Sequence, residues 1–171
     1  DGRPLARQIA DALHGAYYPL DPQRRVGRAL ITWEDQDITI DVAQFRGPDL
    51  LADLTLRDFT VNALFLDPLA SPASSATIAT RSPLGGPHGG QVIDLVDGLS
   101  DLKSRVLRAV GDPRKRLAED HLRAWRAPRL AAKLGFTIDP ATADAIRHEA
   151  KNAKGVSRER IGDEVRRMLL H

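Results

Sequence analysis

GDPRKRLAEDHLRAWRAPRLAAKLG, residues 111–135, separates a first part with β-type patterns from a helical second part. Asp112 is suited to cap a helix N-terminus, and Pro113 is suited to the first helical position. Gly135 is suited to end the helix, because glycine readily adopts the left-handed conformation of a C-cap. The stretch therefore predicts one helix over residues 113–134.

Asp120 and Arg123 lie three residues apart inside this predicted helix, so they share one helix face. A carboxylate acceptor beside a planar donor can read the edge of a nucleotide base. Cytosine and adenine each present an amino donor next to a ring-nitrogen acceptor, whereas guanine and uracil present the reverse. The pair therefore favours C and A. An ordinary surface ion pair has the same spacing, and the spacing alone leaves both interpretations open.

Composition limits the class of protein. The chain has 171 residues, of which 42% are hydrophobic, which is enough to bury a core. It has no apolar run that could cross a bilayer and no signal-peptide pattern, so we expect a cytoplasmic protein without membrane contact. Cysteine is absent and the five histidines show no ligand spacing, so any metal would need oxygen ligands. Arginines crowd the second half, which suits a phosphate-bearing partner or a solvated basic face.

The first part of the chain is predicted to contain a helix and an antiparallel sheet. The helix covers residues 4–13, and β-type runs cover residues 16–20, 26–33 and 38–45, the last two joined by residues 34–37. Asp41 projects from the sheet face opposite Ile38 and Ile40, because side chains alternate along a strand. Asp41 then lines a polar cleft or simply faces solvent.

The next segment mixes polar and apolar residues at helical spacing. Phe59, Ala63 and Leu66 can face a core, which leaves Arg57, Asp58 and Asn62 as a polar trio nearby. Residues 68–90 are rich in Ser, Pro, Ala and Gly and are interpreted as a mobile surface loop. The following elements are predicted as a strand over 92–95, a turn at Asp97-Gly98, a helical turn over 100–103 and a strand over 106–110. After the 113–134 helix, a helix is predicted from Asp139-Pro140 to about residue 154. A last helix is capped by Ser157, and its apolar face contains Ile161, Val165, Met168 and Leu169.

Five motifs in this order resemble those of the class II tRNA nucleotidyltransferase and bacterial poly(A) polymerase family, the CCA-adding enzymes and their relatives. The motifs are RDFTVNAL at 57–64, DLVDGLSDL at 94–102, RAVGDP at 108–113 leading into EDHLR at 119–123, LGFTI at 134–138 and VSRERI at 156–161. They resemble the family's ribose-recognition motif, hinge motif, amino-acid base template and neck segments. The resemblance covers residues 16–170 except the 68–90 loop.

The resemblance implies an α+β fold in two parts. A partial polymerase-β-like nucleotidyltransferase head, with an antiparallel or mixed sheet and helices, would occupy residues 1–110. An all-helical neck that carries the base-template helix would occupy residues 111–171. The expected activity is addition of C or A to a tRNA 3′ end from CTP or ATP by two-metal phosphoryl transfer.

The resemblance also implies roles for individual residues. Asp120 and Arg123 would be the base template, Arg57, Asp58 and Asn62 would contact ribose and triphosphate, and Arg126 and Arg129 would contact RNA or phosphate. Asp41, followed by Arg46 as in the family, would be a supporting catalytic acid. Mg²⁺ is the expected cofactor, and CTP, ATP and an RNA 3′ end are the expected partners, with the oligomeric state left open.

The chain departs from the family pattern at several positions. The family's glycine-pair loop and its magnesium-binding Asp-x-Asp strand are not found, so we expect that the chain begins after them and is inactive alone. Asp35, Asp37 and Asp41 do not reproduce the metal clamp. Smaller departures are Leu56 in place of an arginine, Asp97 in place of a glycine, Gly162 in the last motif and Pro128 in the template helix. Pro128 predicts a bend near residues 124–126.

Three hypotheses follow. The chain is a fragment of a CCA-adding, CC-adding, A-adding or polyadenylating enzyme, activities that share these motifs. It is instead a non-catalytic nucleotide- or RNA-binding module whose basic helices contact phosphates. The third hypothesis is a degraded gene piece without function.

Overall fold

A computed structural model describes residues 1–67 and 91–170, which form two compact units, Asp1–Asp49 and Leu50–His171. The predicted 68–90 loop lies outside the described residues. No helix in the described part of the chain is both long and apolar enough to span a bilayer. The predicted division into domains at residue 110 stays a prediction.

The first unit is one helix on a three-stranded antiparallel sheet. Helix α1 (Gly2–Ala12) is followed by β1 (Ala16–Asp21), β2 (Val26–Trp33) and β3 (Gln36–Val42), in the spatial order β1-β2-β3. Small residues allow the helix to lie close to the sheet. A Cβ on Gly27 would lie only 2.7 Å from the Cβ of Ala6, and Ala6, Ala10 and Ala29 are completely buried.

The predicted helix and strands are found in this unit, but the third strand is shifted. It begins at Gln36 and ends at Val42, so the predicted range 38–45 is wrong at both ends. The cause is a two-residue hairpin at Glu34 and Asp35, which both have positive φ values, 48° and 60°. Such a turn matches the twist of the flanking strands, and it pairs Gln36 directly with Trp33.

In its described residues, 50–67 and 91–170, the second unit contains six helices and two strand pairs, and two apolar clusters form its core. Its elements are α2 (Leu50–Thr55), a 3-10 turn (Thr60–Asn62), β4 (Leu64–Asp67), β5 (Gln91–Asp94), α3 (Gly98–Ser104), β6 (Val106–Leu107), α4 (Pro113–Ala118), α5 (Leu122–Leu134), β7 (Thr137–Ile138), α6 (Pro140–Glu149), a second 3-10 segment (Ala150–Gly155) and α7 (Arg158–Leu169). Strands β4 and β5 pair antiparallel, and β6 and β7 pair parallel. The architecture is α+β, as predicted.

Phe59 is the centre of the larger apolar cluster. It is completely buried and packs with Leu107, Ala127 and Ala131. The backbone around it forms an antiparallel bridge, because Thr60 N–H donates to the Arg108 carbonyl and Val110 N–H donates to the Asp58 carbonyl. This bridge holds Asp58 at the edge of the core beside helix α5.

The helix predicted from Phe59, Ala63 and Leu66 is wrong. Residues 60–62 form a 3-10 turn and residues 64–67 form β4, because pairing with β5 and with residues 108–110 satisfies the backbone instead. The strand predicted over 106–110 is reduced to β6 and the bridge at Ala109. Tertiary hydrogen bonding overrides the helical spacing of the apolar residues here.

The helix predicted over 113–134 is also wrong as a single element. It is divided into α4 and α5 by residues 119–121. Asp120 causes the division locally, since its Oδ1 accepts a hydrogen bond from the Leu122 N–H at 3.0 Å. A short acidic side chain that bonds to the backbone two residues on competes with the helical hydrogen bond.

The predicted helix ends are confirmed. Asp112, Asp139 and Ser157 each accept a hydrogen bond from a backbone N–H in the first turn of α4, α6 and α7, and Gly135 ends α5 with a φ of 66°. Pro128 lies inside α5, and the bend predicted from it stays a prediction. On α7, the predicted apolar face holds for Ile161, Val165 and Met168, which are partly buried, but Leu169 is 82% exposed.

Candidate base-recognition site

Asp58 lies at the centre of a polar cluster on the second unit. Its Oδ2 accepts from the Arg126 Nε at 2.9 Å, and its Oδ1 accepts from the Asn62 side chain at 3.1 Å and from the Phe59 N–H at 2.9 Å. The structure therefore brings Asp58 and Asn62 together, as their proposed joint role at a ribose requires. The same cluster contains Arg126, for which the sequence predicted a contact with RNA or phosphate.

Burial and nearby charge shift the pKa of Asp58 in opposite directions. Burial disfavours the carboxylate, but the Arg126 charge and the hydrogen bonds from Asn62, Arg126 and the Phe59 N–H outweigh it. The net effect lowers the pKa of Asp58 below its ordinary value. Asp58 is therefore an acceptor at neutral pH, which suits recognition of a hydroxyl donor.

Lowering the pH is expected to remove stability that Asp58 contributes. Because its pKa is lower in the folded protein than the ordinary 3.8, the contribution is complete above that value and is lost as the pH falls toward the lowered folded pKa. Asp58→Asn should cost roughly 1–3 kcal/mol of unfolding free energy at neutral pH. Urea unfolding from about pH 7 to about pH 3 should show this cost shrinking in acid. The exposed control Asp144→Asn should show little cost, and a pH-independent cost for Asp58→Asn would contradict the assignment.

Arg57 is held by a neighbouring carboxylate. Its Nη2 lies 2.6 Å from Oδ2 of Asp53, whose side chain is 2% exposed, and its guanidinium lies 5.6 Å from the centre of the Phe65 ring. Asp53 is four residues earlier, a spacing that allows this pair. The predicted contact of Arg57 with ribose or triphosphate stays a prediction.

Arg123 is buried, with 8% of its surface exposed, and three acceptors fix its guanidinium. Nη1 donates to the Arg116 carbonyl at 2.7 Å and to Oε2 of Glu119 at 2.9 Å, and Nη2 donates to the Leu56 carbonyl at 3.0 Å. An arginine has five N–H groups, so Nε–H and one N–H of Nη2 have no partner in the part of the chain that the structure describes.

Asp120 lies in the break between α4 and α5 and not on a continuous helix face with Arg123. One carboxylate oxygen accepts from the Leu122 N–H, and the other lies 3.7 Å from Nη2 of Arg160 on α7. Its side chain is 35% exposed. The surface ion pair between Asp120 and Arg123, the alternative from sequence, is not found in the described residues, where Arg123 pairs with Glu119.

Arg129 is the partner of Glu164 on α7. The Arg129 Nε contacts Oε2 of Glu164, and the two side chains are 11% and 7% exposed. Arg126 pairs with Asp58 and is 34% exposed. Both arginines therefore form ion pairs with carboxylates of the same unit. Their predicted contacts with RNA or phosphate stay predictions.

Sequence reasoning missed several residues that position this site. Glu119 pairs with both Arg116 and Arg123, and its spacing of three and four residues from them could have indicated this. Arg108 bridges Asp101 and Asp139, and Asp101 also accepts from the Thr60 hydroxyl, a contact over 41 residues that no local pattern indicates.

The carboxylates of β3 do not fit a magnesium clamp. Asp41 lies directly opposite Arg28 across β2 and β3, and their side chains form an ion pair at 2.6 Å. The hydrogen bond from Arg28 lowers the pKa of Asp41, so the carboxylate is charged but already paired. Asp37 accepts from the Thr32 hydroxyl. Within residues 1–67 and 91–170, no three acidic or histidine side chains are grouped to hold a metal ion. The role of Asp41 as a supporting acid stays a prediction.

Two family models match the chain. The poly A polymerase head domain matches residues 5–108, and the probable RNA and SrmB-binding site of polymerase A matches residues 135–171. Between them lies the segment that carries Asp120 and Arg123.

Similar proteins agree with these matches. The chain is 43% identical to a CCA-adding enzyme of Lacticaseibacillus paracasei over 132 residues, 73% of this chain and 28% of that protein. It is 36% identical to a CC-adding tRNA nucleotidyltransferase of Geobacter sulfurreducens over 168 residues, 98% of this chain and 34% of that protein. The crystal structure of the Bacillus stearothermophilus CCA-adding enzyme in complex with CTP superposes with a TM-score of 0.66 at 25% identity, covering 90% of this chain and 35% of that chain.

The described fold is thus the α+β nucleotidyltransferase head fold of CCA-adding enzymes. The chain belongs to the poly(A) polymerase head-domain family, the family of CCA-adding enzymes and poly(A) polymerases. It spans between 28% and 34% of the length of the two relatives described above.

Proposed function

We propose that this chain supplies the base-selecting part of a nucleotidyltransferase that adds C or A, from CTP or ATP, to the 3′ end of tRNA. In that reaction the terminal 3′-hydroxyl attacks the α-phosphate, a new phosphodiester bond forms and pyrophosphate leaves. The relatives named for CCA and CC addition support this substrate class. Polyadenylation by a member of the same family is the alternative.

The environment of Arg123 is the observation that carries the proposal. Two backbone carbonyls and Glu119 hold its guanidinium in one orientation, while two of its N–H groups keep no partner among the described residues. Asp120, three residues earlier, keeps a partly exposed carboxylate. A fixed donor near a partly solvated acceptor can complement the ring nitrogen and amino group of C or A, and it is mismatched to U and G.

The neighbouring residues give the site further selectivity. We propose that Asp58, oriented by Asn62 and Arg126, accepts a hydrogen bond from a ribose hydroxyl and so favours ribonucleotides. Arg57, oriented by Asp53, supplies positive charge for the triphosphate.

Nucleotide binding by the chain tests the proposal. The chain should bind CTP and ATP more tightly than UTP and GTP, and Asp120→Ala should reduce the CTP-to-UTP affinity ratio about tenfold, since a hydrogen bond to a charged group is lost. Titration calorimetry at two salt concentrations measures both. Asp144→Ala, another exposed aspartate with an arginine partner, is the control. Unchanged base preference in Asp120→Ala, with affinity that depends only on salt, would instead support a module that binds phosphates alone.

Catalysis by the 171-residue chain alone is expected to be absent. The described carboxylates do not assemble a metal clamp, so the hydroxyl and the leaving pyrophosphate lack their usual charge stabilisation. Incubation with CTP, ATP, magnesium and tRNA that lacks its 3′ end should give no extended product on a denaturing gel. Efficient extension would show that carboxylates of this chain do form the clamp.

A further inference from the structure

Glu149 is a buried carboxylate at the end of α6, outside the residues assigned so far. It is 5% exposed, and its Oε2 lies 2.8 Å from Nδ1 of His121. In the described part of the chain neither of these two atoms has a partner in hydrogen-bond geometry, so the 2.8 Å approach is a close polar contact and not a formed hydrogen bond. Its Oε1 lies 4.0 Å from Nε2 of His148, which is more than half exposed. Among the ionisable groups of the described residues, His121 therefore makes the one close approach to this buried carboxylate.

His121 directly follows Asp120 and precedes the first residue of α5. Gly155 lies near its ring, since a Cβ added to Gly155 would lie 3.6 Å from His121 Cδ2. The ring is thus close to Glu149 and to the last residue of the Ala150–Gly155 segment, with 29% of the side chain exposed. An ion pair or hydrogen bond that is buried constrains geometry strongly, since a shifted partner would leave both groups unsatisfied.

We propose that Glu149 is a positioning residue that, through His121, fixes the break between α4 and α5 and so holds Asp120 in its base-reading orientation. When Nδ1 carries the proton it donates to Glu149, and the backbone of residues 120–122 is then fixed against α6. The Leu122 N–H remains within reach of Asp120 Oδ1. The inference rests on the proposed function of Asp120 for its effect on base choice, but the positioning itself does not.

The double variant His121→Phe/Glu149→Leu removes both polar partners while keeping apolar volume at the site, which is usually tolerated. Amide hydrogen exchange measured by NMR should be faster at Leu122 by about fivefold, with exchange in α6 unchanged, because the Asp120 cap is no longer held. The CTP-to-UTP affinity ratio should fall by a similar factor. Circular dichroism establishes that the variant is folded. If the double variant does not fold, Glu149→Leu, which removes the buried carboxylate and leaves the partly exposed His121 in place, gives the same measurement.

Glu149→Gln is the matched conservative variant. Its amide oxygen can still accept from Nδ1, so exchange at Leu122 and the base preference should stay within about twofold of the wild type. Unchanged exchange at Leu122 in the folded double variant would overturn the proposal, as would a loss in Glu149→Gln equal to that of the double variant. Faster exchange combined with a wild type that does not distinguish CTP from UTP would support the positioning role and contradict the proposed base reading.

Discussion

Arg123→Met is expected to lose both the preference for C and A and roughly 2–4 kcal/mol of unfolding free energy. The guanidinium is buried and donates to the carbonyls of Leu56 and Arg116. Methionine fills similar volume but supplies no donor, and the loss of these partly buried hydrogen bonds costs roughly 1–3 kcal/mol for each bond. The ion pair with the partly exposed Glu119 adds little to this loss.

Urea unfolding and CTP-to-UTP affinity ratios measure the two effects of Arg123→Met. Arg147→Met is the control, because Arg147 is 73% exposed and pairs with the exposed Asp144 at the surface. It should change the unfolding free energy by less than about 0.5 kcal/mol. If Arg123→Met is as stable as Arg147→Met, the guanidinium is not held as the structure shows. If it is destabilised but keeps the base preference, Arg123 supports the fold without reading the base.

Arg129→Met is expected to cost about 3–5 kcal/mol of unfolding free energy, because it leaves Glu164 buried without its charge partner. The double variant Arg129→Met/Glu164→Leu should recover most of this stability. Apolar side chains of similar size replace the pair, and no buried charge remains. Thermal and urea unfolding of both single variants and the double variant give the coupling energy between the two residues.

The same double variant tests the alternative role of Arg129. If Arg129 only joins α5 to α7, the folded double variant should bind RNA with the affinity and salt dependence of the wild type. If Arg129 contacts a phosphate, the affinity should fall and the salt dependence should weaken by about one counterion. Stability equal to the wild type in Arg129→Met would contradict the buried pair.

Local chemistry predicted much of the secondary structure correctly. Asp112, Asp139 and Ser157 cap helices as expected, and Gly135 ends α5, because each effect acts within one turn of the chain. Strand β2 has the predicted limits. The failures lie where distant segments meet. Residues 58–60 pair with 108–110, so the helical spacing of Phe59 and Ala63 was misleading.

The candidate site shows the same division. The polar residues Asp58, Asn62, Asp120 and Arg123 were predicted from motifs, since their types and spacing suit recognition of a ribonucleotide. The hydrogen-bond partners of these residues were not predicted. Arg126 lies 68 residues from Asp58, and the Leu56 carbonyl lies 67 residues from Arg123. A hydrogen bond over such distances depends on how the core around Phe59 packs.

The sequence by itself determined the family, the α+β class, the helix caps and the choice of residues proposed to read a base, because these depend on residue type and short spacing. Only the tertiary structure decided that Asp120 lies in a break between two helices and that Arg123 is held by Leu56, Arg116 and Glu119. The physical reason is that a buried charged side chain must satisfy its hydrogen bonds, and packing decides which acceptors are near. The arrangement of residues 119–123 is thus set by the surrounding fold, and Asp120 and Arg123 are not a pair of neighbours on one helix.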